Sequence, residues 1–525
     1  MLFILLSLHL LKKLVSSWRK DLSASIVVFF VALPLCLGIG LASTTVPGLS
    51  PIPVAGLLAG IVGGVVVGLF SNSRLGVSGP AAGLITVVIT SIASLGSFQA
   101  FLLALILAGI FQMIFAGLRA GIIANYLPSG VIKGMLAAIG ITLILKEIPH
   151  LIGYDKDYFG DEAFLQQDGH NTFTEISYAI QSLDAGIALI GLVSLALVVI
   201  FDLPKIKKLY LFKYIPSMLW VIIIGTMLNI VLTISGHDLH ITKEHLVQIP
   251  QIDSWEAFKM QLNFPDFSFL TNPKIYVVAI TIAAIASLET LLSVEAIDRL
   301  DPEKAITNPN RELLAQGVGN IVAGLIGGIP VTQVIVRSTA NLNGGANSKM
   351  SAVYHGFWLI AAIIFLAPVL NYIPLATLAA ILIAVGYKLT NAKLIQHQFS
   401  KGWDQFIPFL TTIIAILLTD LLKGIGIGLI VAIVFIIKRN FSGNHEVIST
   451  DEGYEIVLGE HVNFLNIASI KTSLMLVPSG SKVTINTLQS KSLDHDIQEL
   501  LHDFITITAK SKKIDVHYLG SHLSD

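Results

Sequence analysis

Long apolar runs separated by short polar connections dominate the first 440 residues of the chain. A helix crosses about 30 Å of hydrocarbon with roughly 20 residues, and fourteen windows of this sequence are apolar enough to be such crossings or shortened versions of them. They begin near Leu22, Ile52, Ala81, Phe98, Gly121, Gly186, Ile215, Lys274, Leu313, Thr332, Ser351, Ile373, Phe406 and Leu421. The pattern predicts an all-α polytopic membrane domain over residues 21–440.

The windows fall into two sets of seven, at about residues 21–235 and 273–440, and residues 1–20 form an interfacial lead before the first set. The third window of each set is short and opens beside glycine and proline, at Ser78-Gly79-Pro80-Ala81 and at Gly327-Gly328-Ile329-Pro330. Equal halves with a broken helix at the corresponding position are typical of inverted-repeat transporters. Because seven is odd, the two repeats must run antiparallel through the membrane.

Charge is scarce in this chain and almost balanced. Charged residues make up 13% of the 525 residues, and the formal net charge is -1. This composition excludes a soluble cytosolic enzyme and a nucleic-acid binder driven by bulk basicity. The single cysteine, Cys36, excludes an intramolecular disulfide and a thiolate metal cluster. No set of nucleophile, base and orienting residue is visible, so the sequence predicts no catalytic residues.

Basic residues gather before the first window, at Lys12, Lys13, Arg19 and Lys20. Lysine and arginine favour the cytoplasmic side of a membrane protein, which places the N-terminus in the cytoplasm. An even number of crossings returns the C-terminus to the same side, so both termini are predicted to be cytoplasmic, in a cell (inner or plasma) membrane.

Proline is tolerated at the first position of a helix, and a preceding glycine lets a ligand approach the backbone. We therefore expect Pro80 and Pro330 to begin two half-helices whose tips carry free N–H groups. Each tip is equivalent to about half a positive charge, so a small anion is the predicted substrate. Arg337 lies about two turns beyond Pro330, where a buried cation costs roughly 2.5–3.5 kcal/mol. It should face the site, a cavity or a carboxylate, unless its head reaches the membrane interface.

Glu289 is an acidic residue inside an apolar window, with Ser293 one turn further on the same helix face. An acid at that depth is protonated or paired. It is therefore a candidate for coupling transport to H⁺ or Na⁺, and a structural ion pair with Arg337 is the alternative. Apart from Na⁺ at Glu289 and Ser293, we predict no metal and no cofactor.

Several segments, taken in their order and spacing, resemble the SulP family of sulfate permeases and anion exchangers. They are residues 31–42, 77–82, 287–293, 310–320 and 327–330, followed by Arg337-Ser338. The resemblance implies fourteen spans in two inverted repeats, a core domain that moves against a gate domain, and a homodimer. It also implies an anion bound between the third and tenth spans, with first-span residues walling the pocket.

Carried over by position, the resemblance also implies a set of substrate-binding residues. They are Leu35, Ile39, Gly79, Pro80, Ala81, Gln333, Val334, Ile335, Val336 and Arg337. Glu289 and Ser293 match the coupling position of cation-dependent relatives. Many relatives have a polar residue in place of Leu35 and a hydroxyl near Ile335 or Val336. Backbone amides should therefore bear more of the binding here, and a Na⁺ site that needs a hydroxyl oxygen in place of Ile335 would lack that ligand.

From about residue 445 to 525 the pattern changes to short alternating strands and one amphipathic helix. We predict strands at residues 454–458, 481–486 and 513–517 and a helix at 493–508 with Asp494 as its cap. This segment resembles a small cytoplasmic α/β STAS domain. Many STAS domains carry a phosphorylated serine after an aspartate, whereas this chain has Asp494-His495-Asp496.

Together these features predict a secondary active transporter of a small inorganic anion, bicarbonate or sulfate, coupled to Na⁺ or H⁺ and working by alternating access. An uncoupled anion channel is one alternative, in which Glu289 would be dispensable for conduction. A membrane-tethered signalling scaffold built on the STAS-like domain is the other, in which deletion of that domain would erase function. No nucleic-acid partner is expected.

Overall fold

The computed structural model describes residues 2–46, 52–159, 164–165, 169–207, 216–234, 241–249, 262–441, 445–450 and 453–520. The chain separates into two compact units, Met1–Gly428 and Leu429–Asp525. Among the described residues, the first unit is helical apart from two short strands, β1 (Ser78–Pro80) and β2 (Val331–Gln333), and isolated bridges, and the second unit contains the remaining strands. The predicted fold class, a polytopic helical protein followed by a small α/β unit, is confirmed.

Each predicted crossing contains a helix. In the first half these are α1 (Leu2–Thr44), α2 (Pro53–Phe70), α3 (Ala82–Leu95), α4 (Phe98–Gly117), α5 (Ser129–Leu151), the short α6 (Thr172–Gln181), α7 (Ala185–Asp202) and α8 (Ser217–Ile234). In the second half they are α9 (Pro273–Leu300), α10 (Pro309–Ile326), α11 (Ile335–Asn343), α12 (Met350–Leu370), α13 (Leu375–Leu389), the short α14 (Ala392–Phe399), α15 (Trp403–Leu418) and α16 (Leu421–Phe441).

Helix lengths separate full crossings from interrupted ones. Within the described residues, nine helices are long and apolar enough to cross a membrane, and α5 with the preceding 3₁₀ segment Ala120–Tyr126 forms a tenth that is bent by 89°. The predicted lead of residues 1–20 continues without a break into α1. The third crossing of each half, α3 and α11, is short, as its glycine and proline residues predicted.

The first unit, which we call the membrane unit, contains two packed groups of helices. In one group α1 packs on α2 and α12, and α4 packs on α9 and α10; in the other, α5 packs on α13 and α15, and α7 on α8 and α13. Glycines allow the close approaches: a Cβ atom on Gly109 of α4 would lie 2.5 Å from the carbonyl oxygen of Gly317 on α10. Gly140 of α5 meets Gly386 of α13 in the same way, at 2.5 Å. Small residues at such crossings are how helices associate in lipid.

The second unit has a four-stranded sheet with strand order β3-β4-β6-β8, in which the β3–β4 pair is antiparallel and the other pairs are parallel. The four strands are β3 (His445–Thr450), β4 (Gly453–Leu458), β6 (Lys482–Asn486) and β8 (Asp515–Leu519), and a separate pair is β5 (His461–Val462) with β7 (Ser492–Leu493). Helices α17 (Ile467–Leu476) and α18 (His495–Asp503, continued by Phe504–Thr508 and Ala509–Lys512) complete the unit. Asp494 caps α18, as predicted.

Candidate functional site

Two short strands pair with each other inside the membrane unit and lead into the two short helices; we call this pair the strand crossing. Strand β1 (Ser78–Pro80) pairs antiparallel with β2 (Val331–Gln333), with Gly79 opposite Thr332. Both strands are buried. The antiparallel pairing of equivalent segments from the two halves is the arrangement that antiparallel repeats produce, and it brings the starts of α3 and α11 together.

The prolines do not begin these helices, and this prediction was wrong. Pro80 is the last residue of β1, and Pro330 directly precedes β2. Because the two segments first pair as strands, the helices start later: α3 follows the extended residue Ala81, and α11 follows the extended residue Val334. Proline is compatible with a strand end, where its missing N–H breaks no ladder.

Arg337 lies in the first turn of α11, closer to the helix tip than its spacing from Pro330 indicated. Its side chain is fully buried, and Nη2 donates to the carbonyl oxygen of Pro80 at 3.2 Å. A Cβ atom on Gly79 would lie only 1.9 Å from Nη1, so glycine is required where the guanidinium passes β1. Nε and Nη1 have no hydrogen-bond partner in the described part of the chain. The thiol of Cys36 on α1 interacts with the same guanidinium. The buried guanidinium therefore has donor capacity that no backbone or side-chain oxygen of the described residues uses.

Glu289 of α9 faces the tip of the other short helix. A Cβ atom on Gly83, in the first turn of α3, would lie 3.1 Å from Oε1 of this carboxylate. Glu289 and Ser293 are both buried, at 6% and 3% exposure. The crossing thus places a titratable acid beside one helix tip and an arginine at the other.

The remaining predicted pocket residues are apolar and buried around this crossing. Leu35 and Ile39 on α1, Ala81 before α3, and Ile335 and Val336 at the start of α11 all have exposures of 5% or less. These five side chains have no hydrogen-bonding groups, so beside Arg337 the first backbone N–H groups of the two short helices are the candidate donors.

Gln333 and Val334 occupy the end of β2 and the position before α11. The Gln333 side chain lies against Gly76, on the chain that enters β1: a Cβ atom added to this glycine would lie 2.7 Å from Oε1 of Gln333. Its amide is buried and makes no hydrogen bond within the described residues. The backbone N–H of Gln333 donates to Thr290 Oγ1 at 3.3 Å, and that of Val334 donates to the Val77 carbonyl at 3.0 Å.

A polar face on α10 was not assigned a role from the sequence, although its residues lie in the segment that carried the family resemblance. Asn320 accepts from the Val331 N–H at 2.7 Å and donates to the Val331 carbonyl at 3.1 Å, as a neighbouring strand would. Gln316 donates to Ser78 Oγ at 2.7 Å and to Glu312 at 3.1 Å. One helix thereby holds both strands. The spacing of Glu312, Gln316 and Asn320, four residues apart in an apolar helix, is the signal that could have identified them.

A second polar contact links Asn320 to the helix that carries Glu289. Asn320 Nδ2 donates to Gln112 Oε1 on α4 at 2.7 Å, and Gln112 Nε2 donates to Ser287 Oγ on α9 at 3.3 Å. Glu312 accepts from Ser71 Oγ at the end of α2, at 2.5 Å. The polar groups of the crossing are therefore connected to α2, α4 and α9.

The residues before β1 are held by an ion pair that lies outside the membrane-spanning helices. Arg74 donates through Nε to Asp301 at 2.9 Å, and its Nη1 lies 2.8 Å from Glu303. Burial acts to raise the pKa of Asp301, but the hydrogen bonds from Arg74 outweigh it and hold this pKa below the ordinary value. The hydrogen bonds that Arg74 donates to Asp301 correspondingly raise the pKa of Arg74. This ion pair ties the strand entrance to the end of α9.

Two relatives are similar to this chain over most of their length. The Bacillus subtilis protein YvdB is 28% identical over 517 residues, which covers 96% of this chain and 87% of YvdB. The bicarbonate transporter BicA of Picosynechococcus is 26% identical over 446 residues, which covers 82% of this chain and 72% of BicA.

Solved structures share the fold and a family model covers the membrane unit. The murine anion transporter Slc26a9 in its inward-facing state superposes with a TM-score of 0.67 at 14% identity, covering 96% of this chain and 85% of that one. The model of the sulfate permease family matches residues 18–439. The chain is therefore a member of the sulfate permease family, a family of multi-pass membrane transporters rather than enzymes.

Proposed function

We propose that this protein is a secondary active transporter of bicarbonate or sulfate. The observation that carries the proposal is the buried guanidinium of Arg337, whose Nε and Nη1 are unpartnered in the described chain and lie where two helix N-termini meet. Hydrogen-bond donors and positive helix tips in a low-dielectric site bind a small oxyanion. The family name and the activity in the name of BicA support the same two anions.

Glu289 is the proposed coupling residue, with Ser293 as its hydroxyl neighbour. Its carboxylate faces the first turn of α3, so a proton or a Na⁺ ion bound there changes the charge next to the anion. A bound cation offsets the repulsion between the carboxylate and the anion, which makes the two ions bind together. This mutual dependence is what gradient-driven accumulation requires.

Alternating access would follow from movement of the helix group that contains α1, α2, α9, α10 and α12 against the group that contains α5, α7, α13 and α15. The two groups touch each other at a few places, among them α1 with α13 and α9 with α5, and the short helices with their strands belong to the first group. We further propose that the protein is a homodimer in the plasma membrane, with both termini cytoplasmic. The second unit would act as a STAS-like regulatory domain.

Uptake into sealed vesicles tests this proposal. Labelled bicarbonate and labelled sulfate are offered in parallel, with an inward Na⁺ gradient, with an inward H⁺ gradient, and with neither. We expect accumulation of one anion above equilibrium under one of the gradients. Glu289→Gln should abolish accumulation, whereas Glu295→Gln, on the same helix but paired with Arg299 and partly exposed, should retain it.

Arg337→Gln should weaken anion binding roughly 10- to 100-fold, because hydrogen bonds to a charged group contribute about 1.5–3 kcal/mol. Accumulation that survives in Glu289→Gln would contradict the coupling assignment. Conduction without accumulation under any gradient, in the unaltered protein, would favour an uncoupled channel. Unchanged anion affinity in Arg337→Gln would refute the site itself.

A further inference from the structure

A second group of buried titratable residues lies far along the chain from the anion site, where α5 ends opposite the predicted cytoplasmic face. The Asp155 carboxylate bridges two histidines, with Oδ1 2.5 Å from His150 Nδ1 and Oδ2 2.5 Å from His245 Nδ1. Asp155 and His150 are almost fully buried, and His245 is 21% exposed. We call these three residues the outer cluster.

Further charged groups surround the outer cluster on every side. Glu147 is one turn before His150 on α5 and is 1% exposed, and Lys146 on that helix lies 3.7 Å from Asp157 and 3.9 Å from Glu175 of α6. The remaining charged groups that face His245 are Asp184, which caps α7, and Glu244 beside it. With Asp155 included, these six carboxylates outnumber Lys146 and the two histidines even when both histidines are protonated, so each proton on a histidine reduces an excess of negative charge.

The outer cluster holds a segment of chain against α1. Residues 154–159, which we call the outer strap, contain Asp155 and end at Phe159, whose ring stacks on His150 at 4.3 Å between centroids. A Cβ atom on Gly38 of α1 would lie 1.9 Å from the Phe159 carbonyl oxygen, so strap backbone and helix backbone touch. A cavity of about 230 Å³ lies between them, lined by Gly38 and Leu41 on one side and by the strap on the other.

The strap therefore joins the two helix groups. It continues from α5, and His245 belongs to a segment that is bonded to the start of α13, since Val247 N–H donates to the Ile373 carbonyl at 3.0 Å. Helix α1 belongs to the other group, and it carries Leu35 and Ile39 next to the strap contact at Gly38. Movement of α1 past α5 and α13 requires this contact to open.

We propose that the outer cluster is a proton-binding site that keeps the outer strap closed on α1 while its histidines are protonated and releases the strap when they lose their protons. The ligand of this site is H⁺ from the outer solution, which reaches it through the partly exposed His245. The proposal goes beyond the coupling role of Glu289, and it does not depend on which anion is carried.

The direction of the pH dependence follows from His245 and Asp155, the two residues of the outer cluster that lie outside the membrane-spanning helices. The hydrogen bond to Asp155 raises the pKa of His245 above its ordinary 6.5, so the stabilisation of the closed strap is complete below pH 6.5 and is lost as pH rises through the raised value. Burial acts to raise the pKa of Asp155, but hydrogen bonds from His150 and His245 outweigh it and lower the pKa below 3.8. The Asp155 contribution is therefore lost only in strong acid, and the alkaline side is the relevant one.

Cysteine labelling measures strap opening without any transport. Leu41→Cys places a thiol in the cavity under the strap, and Ser182→Cys places one on the exposed end of α6 as a reference. The background is the parent chain, because its single cysteine, Cys36, is buried. Intact cells that express the full chain are labelled with a membrane-impermeant maleimide at outer pH from 6 to 8.5. The ratio of the two rates cancels the effect of pH on thiol reactivity.

We expect this ratio to rise severalfold with pH, since each unit of pKa difference between closed and open states changes the opening equilibrium about tenfold. In His245→Gln, whose amide donates without titrating, the rise should shrink, whereas His170→Gln, outside the cluster, should behave as the parent. Asp155→Asn should give a high ratio at every pH. A ratio that does not change with pH, or an unaltered pH response in His245→Gln, would overturn the proposal. Neither result would bear on Arg337 or Glu289.

Discussion

Replacing Asn320 with alanine should destabilise the pairing of β1 with β2. It changes none of the residues that we assign to binding the anion or the cation. The side chain is fully buried and makes three hydrogen bonds, two to the backbone of Val331 and one to Gln112, at 2.7 to 3.1 Å. Alanine leaves the Val331 N–H and carbonyl buried without partners. Each unsatisfied group costs about 1–3 kcal/mol, so for these two groups we expect a loss of roughly 2–6 kcal/mol.

The assay pairs a stability measurement with transport. Thermal unfolding of the detergent-solubilised protein should show Asn320→Ala clearly destabilised relative to Asn343→Ala, an exposed asparagine at the end of α11 whose substitution should change stability by no more than about 0.5 kcal/mol. Uptake at saturating anion should fall in Asn320→Ala at temperatures where the protein remains folded. A variant with normal uptake and unchanged unfolding would refute the claim that this amide holds β2 in place.

Three further substitutions or conditions probe other contacts. Gly79→Ala should abolish uptake because its methyl group would lie 1.9 Å from the Arg337 guanidinium, while Gly117→Ala, with no atom within 4 Å of the added methyl, should retain uptake. Gly38→Ala should prevent strap closure, so labelling at Leu41→Cys should be high already at pH 6. Hydrogen exchange of the outer strap, corrected for intrinsic rates, should be slowest below about pH 6.5 and should quicken as His245 deprotonates.

The positions of the membrane helices could be predicted from the sequence because hydrophobic length is a strong constraint in lipid. Each of the fourteen apolar windows contains a described helix, including the short α3 and α11, whereas nine described helices, and a tenth if the bent α5 is counted, are long and apolar enough to cross a membrane. Backbone hydrogen bonds must be satisfied inside the membrane, so the interrupted windows also predicted that something would pair with the exposed backbone. The sequence did not reveal that the partner is the other half of the chain.

The detailed geometry of the crossing depends on contacts between distant residues. Proline at the start of a helix and proline at the end of a strand are both physically reasonable, and only the pairing of Gly79 with Thr332 decides for the strand. Likewise, no local pattern indicates that Arg337 passes Gly79 instead of entering open space. The role of Asn320 was missed because a single amide in an apolar helix has many potential partners, and its actual partner is eleven residues away.

The outer cluster could not have been found from spacing. His150 and Asp155 are close in sequence, but His245 is 90 residues from Asp155, and the segments between them include several connections. Acidic residues are frequent between residues 155 and 175, but composition does not show which of them the fold brings together. Burial of the carboxylate, which makes its histidine contacts significant, is a property of the folded chain alone.

Hydrogen bonds from β2 and from the residue before β1 to neighbouring helices restrict how the site can move. In β2, the backbone N–H of Val331 donates to Asn320 of α10 and that of Gln333 donates to Thr290 of α9. Before β1, the backbone N–H of Val77 donates to Ser338 of α11 at 2.9 Å. Breaking any of them inside the membrane leaves a backbone group without water to replace its partner. We therefore expect the two helix tips to move together with α9 and α10 as one body, and an anion bound at the proposed site would travel with them. If this body moves relative to α5, the backbone contacts between the two helix groups must break. The contact between the outer strap and Gly38 of α1 is one of them.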